Sequence, residues 1–426
     1  MGVTMKLLCL SNGHGEDIIA VRILQELRKA DESLEIAALP LVGEGLAYAK
    51  AEIPIAGPVK SMPSGGFIYM DGRQLWQDVK GGLMRLTIAQ YRVVRRWRQE
   101  GGKILAVGDI VPLLFAWLSG TDYAFVGTAK SEYYIRDEFG KLLKSRKGEA
   151  WSGSVYLPWE RWLMRRRRCR AVFPRDRMTT QVLKKFSIPA YDLGNPMMDG
   201  IIPENPNPQY EENIAQIREK DRPLNILLLP GSRPPEAYNN WHLILEAVTV
   251  VGNHFHKRSL RFLAAIAPSL DTQPLEDALL SNQWQPEAEY PLDTPFLDPE
   301  ARVFRRDKAM LIVTQQNYNA CLLAGDFAIA MAGTATEQFV GLGKPVITLP
   351  GKGPQFTPKF AEAQTRLLGV SVLLVKRPED VPQMMQRVLE NPDLLQIIAE
   401  NGVKRMGQRG AAGRIAACLQ EKIVDS

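Results

Sequence analysis

The sequence predicts an α/β chain in which buried parallel strands end in ligand-shaped loops and run on into helices. Three stretches carry that expectation. In Gly325–Phe360 (GDFAIAMAGTATEQFVGLGKPVITLPGKGPQFTPKF), an apolar strand through Phe327, Ile329 and Met331 stops at Gly333. A helix opens there with Thr334-Ala335-Thr336-Glu337, and Val346–Leu349 supplies the next strand. Leu224–Pro230 (LNILLLP) is a second apolar run, ended by Gly231-Ser232-Arg233-Pro234-Pro235-Glu236. Lys6–Ser11 (KLLCLS) is a third, joined by Asn12–Asp17 to a helix reaching about Ala30. Short, continuous apolar runs bounded by glycine are the pattern of strands covered on both faces, as in parallel sheets.

The first two loops suit an anion. A glycine- and hydroxyl-rich turn at a helix start leaves backbone N–H groups pointing outward, with the positive end of the helix dipole behind them. Glu337, in the first helical turn, is placed to accept hydrogen bonds from ribose hydroxyls. The plainer alternative is that Thr334 and Thr336 only cap the helix and Glu337 only favours its dipole. Gly231, Ser232 and Arg233 offer amides, a hydroxyl and a guanidinium, a combination suited to a diphosphate. Two such loops make a nucleotide-sugar site if both strands end on one edge of a parallel sheet.

The runs LLLPGSRPPEAY, DLGNPMMDG and AMAGTATEQFVGLGKPVITLPG, with their spacing, resemble lipid-A-disaccharide synthase and its relatives. These are GT-B glycosyltransferases with a UDP-sugar donor, similar also to the enzyme that makes lipid II. The resemblance covers most of the chain and is strongest after about residue 155. It implies a GT-B-type α/β fold: two Rossmann-like domains facing each other across a cleft, the donor held mainly by the C-terminal one. It also implies a donor site lined by Gly231, Ser232, Arg233, Gly333, Thr334, Thr336 and Glu337, with uracil contacts from around Thr314, Gln315 and Asn317. In the first loop that family carries Gly-Glu-Ala-Ser-Gly-Asp, where Asp17 matches but Gly13 replaces the glutamate. At a second loop it carries Asp-Ala-Pro-Asp, where Asp109 matches the first acid and the second is absent at Leu113.

The length of 426 residues suggests two or three domains. The expected division is an N-terminal domain at 1–200, a linker at 201–222, a C-terminal domain at 223–395, and a helix at 396–426 crossing back to the first domain. The net charge of +6 favours anionic partners. Cys9, Cys169, Cys321 and Cys418 are scattered without zinc spacing, which fits a reducing compartment and no metal. No signal peptide is visible and no apolar run reaches transmembrane length. The expectation is a cytoplasmic protein, peripheral to the inner face of a membrane; the oligomeric state is not legible.

Along the first half, His14 lies among glycines at the end of the first strand, and imidazole is the side chain suited to proton transfer near neutral pH, so it is a candidate base for an acceptor hydroxyl. Asp17 and Glu16 are rivals or orient the ring; the alternative is an exposed histidine beside an N-cap aspartate. Residues 57–75 read as an irregular loop, and Leu75–Glu100 as an arginine-bearing amphipathic helix. Asp109, ending the strand Ile104–Val107, is a further candidate base or a helix cap. Thr128–Gly153 reads as a mobile polar insertion. Trp159 and Trp162 then precede Arg165, Arg166, Arg167 and Arg168, a combination suited to anionic lipid headgroups. A solvated helix face is the alternative; no nucleic-acid motif accompanies the cluster. In the second half, His254 and His256 read as surface residues, and residues 271–300 as a loop-rich insertion.

Together these readings describe inverting transfer of a sugar from a UDP-linked donor to a lipid or lipid-like acceptor. His14, Asp17 or Asp109 takes the proton. Arg233 and the amides at Gly333–Thr336 meet the charge on the leaving diphosphate. No cofactor is expected, the nucleotide sugar being a co-substrate, and the lack of Asp-x-Asp argues against a metal requirement. A nucleotide-sugar epimerase on the same fold, and a non-catalytic membrane-associated nucleotide-sugar-binding protein, are the alternatives.

Overall fold

The computed structural model describes residues 5–59, 83–144, 148, 150–218 and 222–424. Most of the loop expected at 57–75, the start of the helix expected from Leu75, and parts of the 128–153 insertion lie outside them. The chain forms two compact units, Met1–Asp199 with Gly407–Ser426, and Gly200–Met406.

In the first unit the order is β1 (Lys6–Ser11), α1 (His14–Ala30), β2 (Glu35–Pro40), α2 (Leu46–Lys50), α3 (Leu83–Gln99), β3 (Lys103–Gly108), α4 (Ile110–Ser119), β4 (Tyr123–Gly127), α5 (Pro158–Met164), β5 (Cys169–Pro174) and α6 (Arg177–Lys185). The strands make one parallel sheet in the order β2-β1-β3-β4-β5. Side chains alternate across a strand, so β1 feeds two cores. Leu7 and Cys9 pack with Ile19, Ile23 and Leu27 of α1. Leu8 and Leu10 pack with Val94 of α3, Phe115 of α4 and Leu163 of α5.

The second unit runs α7 (Pro208–Gln216), β6 (Leu224–Leu229), α8 (Glu236–His254), β7 (Leu260–Ala265), α9 (Gln273–Ser281), β8 (Gln285–Glu287), β9 (Arg302–Arg306), β10 (Ala309–Thr314), α10 (Tyr318–Ala324), β11 (Phe327–Ala330), α11 (Thr334–Gly341), β12 (Val346–Thr348), α12 (Pro358–Leu368), β13 (Val372–Leu374), α13 (Val381–Leu389) and α14 (Pro392–Met406). The sheet order is β13-β12-β11-β6-β7-β10-β9-β8, parallel from β13 to β10 and antiparallel at β9 and β8. Every residue of β6, β7, β10 and β11 is buried, which is why these runs carry almost no polar side chains. Ile226 and Leu228 share a core with Trp241, Ile244 and Leu245 of α8.

Three expectations change. The segment 201–222 is not a free linker where described, because Arg261, itself buried, donates to the Tyr210 hydroxyl of α7 at 2.8 Å and fixes that helix to the sheet. The return to the first unit begins at Gly407 rather than at 396, and α15 (Ala411–Leu419) buries Ile415 and Leu419 against α1. The insertion after Thr128 is anchored rather than loose. Its buried Glu132 accepts Ser154 Oγ at 2.5 Å and Val155 N at 3.0 Å, and pairs with Arg136 at 2.7 Å.

Candidate functional site

A parallel sheet opens a crevice where successive crossovers leave in opposite directions, at the carboxyl ends of the two strands involved. In the second unit the chain passes from β6 to β7 and β10 on one side, then returns to β11 on the other, so the switch point lies between β6 and β11. The two anion loops read from the sequence leave these adjacent strands. Gly231 has φ +104°, and a Cβ there would stand 3.4 Å from the Met331 carbonyl oxygen. Only glycine combines that backbone with that approach. Buried Asn240 ties the loops, its Nδ2 donating to the carbonyls of Pro230 at 3.0 Å and Met331 at 3.5 Å. Ser232 and Arg233 are exposed beside them.

At the start of α11 the N-cap is Gly333, and no side chain caps the helix. Neither threonine therefore serves as the cap. Thr334 is exposed, whereas Thr336 is fully buried and its Oγ1 donates to Ala332 O at 2.7 Å. Glu337 is half-buried in the first turn. Gln364 of α12 is buried, donates Nε2 to the same Ala332 carbonyl at 2.9 Å, and keeps a buried Oε1 without a hydrogen-bond partner. A third loop, after β12, is held at this edge by buried Glu236, whose carboxylate accepts the N–H groups of Gln355 at 3.2 Å and Phe356 at 2.5 Å.

The Thr314–Asn317 loop leaves the same sheet edge from β10, two strands from β6. Three of its side chains bond within the protein. Thr314 Oγ1 donates to buried Asp298 at 2.5 Å, and Gln315 Nε2 donates to the carbonyls of Ala267 and Leu270, both at 2.9 Å. Asn317 is fully buried with Oδ1 accepting from Asn205 at 3.5 Å. Gln316 is the exposed side chain of this loop.

In the first unit the switch point lies between β1 and β3, flanked by the loops carrying His14 and Asp109. Helix α1 begins at His14, earlier than the sequence suggests, with Gly13 as N-cap. Asp17 is thus no cap. It is buried, accepts Ser11 Oγ at 2.6 Å, and that hydroxyl lies 2.7 Å from Tyr48 Oη. Burial pushes its carboxyl up to about 6 against the pull of the Ser11 bond. Asp109 caps α4 by accepting Val111 N at 2.8 Å and is also bonded by Asn12. Glu16, half-buried in the first turn of α1, accepts Thr128 Oγ1 at 3.3 Å. Burial raises both Glu16 and Asp109, with the Asp109 charge adding to the rise at Glu16 and Lys130 opposing the rise at Asp109. A Cβ at Gly108, φ +134°, would overlap Asn12 Oδ1, so glycine is required for this approach. His14 is exposed at the rim. The site therefore holds two half-buried carboxylates that burial biases toward protonation.

No protein-family model matches the sequence, and a search among curated proteins finds none similar to it. Solved structures do share its architecture. UDP-GlcNAc 2-epimerase from Neisseria meningitidis, bound to UDP-GlcNAc, has a TM-score of 0.56 at 14% identity over 99% of this chain and 100% of its own. MurG from Acinetobacter baumannii gives 0.53 at 13% over 98% and 99%, and a ugt transferase from Siraitia grosvenorii in complex with UDP gives 0.53 at 13% over 98% and 100%. The fold is GT-B. Both GT-B units are Rossmann-like, each built on parallel strands with one switch point, the second extended by the antiparallel β9 and β8. Similarity at these identities speaks to the fold and to nothing finer.

Away from the GT-B switch points, Trp159 and Trp162 are 55% and 45% exposed. Trp162 packs edge-on to Trp117 with centroids 5.3 Å apart, under the Arg166 guanidinium at 4.1 Å. Arg165 and Arg167 are exposed in the turn after α5, not on a helix. Arg168 departs from the expected set: it turns inward to the Trp117 carbonyl at 3.4 Å. Among the described residues no helix is long and apolar enough to cross a membrane, and no three metal-ligating side chains cluster. Sequence reading missed Asn12, Thr128, Lys130, Asn240, Asp298 and Gln364, and assigned nothing to Glu236. Glu236 stood inside the quoted run LLLPGSRPPEAY, so its carboxylate in a glycine-proline loop was an available signal. The others are joined only by the fold.

Proposed function

We propose that the protein is a glycosyltransferase of lipid-A-disaccharide synthase type. It moves a sugar from a UDP-linked donor to a lipid-like acceptor at the anionic inner face of a membrane and inverts the anomeric carbon. The observation that carries this reading is the α11 N-terminus, uncapped by any side chain, beside the Gly231 loop at the β6/β11 switch point. Amides at Gly333 and Thr334, with Arg233, receive the diphosphate. Glu337 accepts from the ribose, and Gln364 Oε1 is an acceptor for a hydroxyl of the transferred sugar. The acceptor oxygen forms its bond to the anomeric carbon as the bond to the nucleoside diphosphate breaks. Its proton passes to the group formed by His14, Glu16 and Asp109, while Asp17 serves to hold the loop.

The lipid part of the reading is supported by exposed apolar side chains on three helices, of which α4 packs against both α3 and α5. Met84 and Ile88 of α3 are 65% and 50% exposed, Leu114 and Leu118 of α4 lie one turn apart at the surface, and Trp159 and Trp162 belong to α5. Arg85, Arg92, Arg165 and Arg167 are exposed among these elements, as a surface meeting anionic headgroups requires.

The test is calorimetric titration of UDP, followed by transfer of labelled sugar from UDP-GlcNAc to extracted membrane lipids. UDP binding with micromolar Kd and label in the lipid phase are expected; no binding at about 1 mM UDP removes the reading. The likeness to the Neisseria epimerase favours a second reading, a nucleotide-sugar epimerase. Conversion of UDP-GlcNAc to its C2 epimer without any acceptor, followed by NMR, would replace the transferase.

A further inference from the structure

We propose that a cavity at the amino edge of the second unit's sheet binds a small phosphate monoester with an apolar body, separately from any nucleotide sugar. The cavity, about 220 Å³, lies where β7 and β10 begin, at the opposite ends of the strands from the β6/β11 switch point. Its inner wall is apolar: Leu260 and Phe262 of β7, Ala309 of β10 and the ring of Trp284. Trp284 is 2% exposed, packs edge-on to Phe262 with centroids 6.1 Å apart, and its Nε1–H is buried without a hydrogen-bond partner. A buried donor left unpaired is destabilising, and the bridging ester oxygen of a bound monoester, between its apolar body and its phosphate, is the acceptor offered to it.

The rim is cationic. Arg258, Arg306 and Lys308 line it with the single carboxylate Asp307, so three cations and one acid leave a net charge of +2. That charge matches a phosphate monoester dianion better than a carboxylate. Arg306 is held in place by Nη1 bonds to Thr249 Oγ1 and the Asn282 carbonyl, both 3.2 Å, which orients its guanidinium before a ligand arrives. Lys308 is exposed on the turn between β9 and β10. Apolar wall and charged rim together describe a ligand with a ring or branched chain inside and its phosphate at the mouth.

Phenyl phosphate is the probe, with phenol and inorganic phosphate as its two halves. In the full-length protein carrying 5-fluorotryptophan at its eight tryptophans, Trp284→Phe assigns the Trp284 fluorine signal. Phenyl phosphate is expected to shift that signal saturably with a Kd below about 1 mM, and each half at least about tenfold more weakly. Lys308→Ala, on an exposed turn, is expected to weaken calorimetric binding fivefold or more, and UDP to leave the Trp284 signal in place. A signal unmoved at about 10 mM phenyl phosphate overturns the proposal. So does an equal response in Lys308→Ala. UDP binding is measured in the same samples, so failure here is separable from failure of the donor site.

Discussion

Asp17→Asn isolates the buried carboxylate that accepts Ser11 Oγ at the end of β1. The wild-type carboxyl is raised from 3.8 to about 6 by burial, so it contributes stability that is fully present below pH 3.8 and is lost as pH rises through about 6. At pH 7.5 the folded protein carries the charged form, about 3 kcal/mol less favourable than if its pKa matched the unfolded chain. Asparagine keeps an oxygen to accept Ser11 Oγ but never ionises. The variant is therefore stabilised at pH 7.5 by up to about 3 kcal/mol, by about half that at pH 5, and hardly at all near pH 3.8. For a unit of this size, 3 kcal/mol corresponds to a rise of roughly 6 °C or more in the melting temperature of the first unit. Scanning calorimetry of wild type and variant at pH 5 and 7.5 measures it. An equal shift at both pH values, or a loss of stability at pH 7.5, would refute a desolvated Asp17.

Gly333→Val should leave folding intact, because a Cβ at Gly333 meets only the Phe360 ring edge at 3.9 Å, yet weaken UDP binding about tenfold or more by calorimetry by obstructing the helix amides. Asp109→Asn keeps the cap on α4, since asparagine caps as well as aspartate, so it should reduce turnover about a hundredfold or more with little change in UDP affinity or melting temperature. Replacing Trp159 and Trp162 together by serine should lower sedimentation with phosphatidylglycerol vesicles about tenfold. Replacing Arg165 and Arg167 by glutamine should weaken vesicle binding at low salt and matter less as salt is raised.

The strand–loop–helix order around Gly231 and Gly333 was legible because each step rests on local chemistry: an apolar run too short for a helix, a glycine where the chain turns, then helical spacing. The order of strands in the sheet was not. Nothing local tells β11 to return beside β6 instead of continuing past β10, yet that choice creates the switch point. The Glu16–Thr128 and Asn240–Met331 pairs span 112 and 91 residues and have no shared motif. The N-cap reading of Asp17 failed for a smaller reason. Helix α1 begins at His14, which rotates Asp17 under the β1 strand end toward Ser11 and leaves Glu16 beside Thr128. The insertion after Thr128 read as loose because its lysines and arginines are conspicuous, while the single buried Glu132 that anchors it is not.

The two switch points carry opposite electrostatic offers, and that division is what a transfer reaction asks of one chain. The second unit presents donors: helix amides at Gly333 and a guanidinium at Arg233, with Glu337 in the first turn of α11. Such a site favours a leaving group that gains negative charge. The first unit presents acceptors, Glu16 and Asp109, both lifted by burial. A carboxylate whose pKa burial raises is a stronger base when ionised than an exposed one, and so better able to take a hydroxyl proton in the transfer proposed above. In the transferase reading proposed above, the exposed apolar side chains of α3, α4 and α5 meet the membrane that carries the acceptor. Abolishing vesicle binding through Trp159 and Trp162 should therefore depress sugar transfer to lipid while leaving UDP affinity unchanged; transfer that continues undiminished would argue that the acceptor is taken from solution.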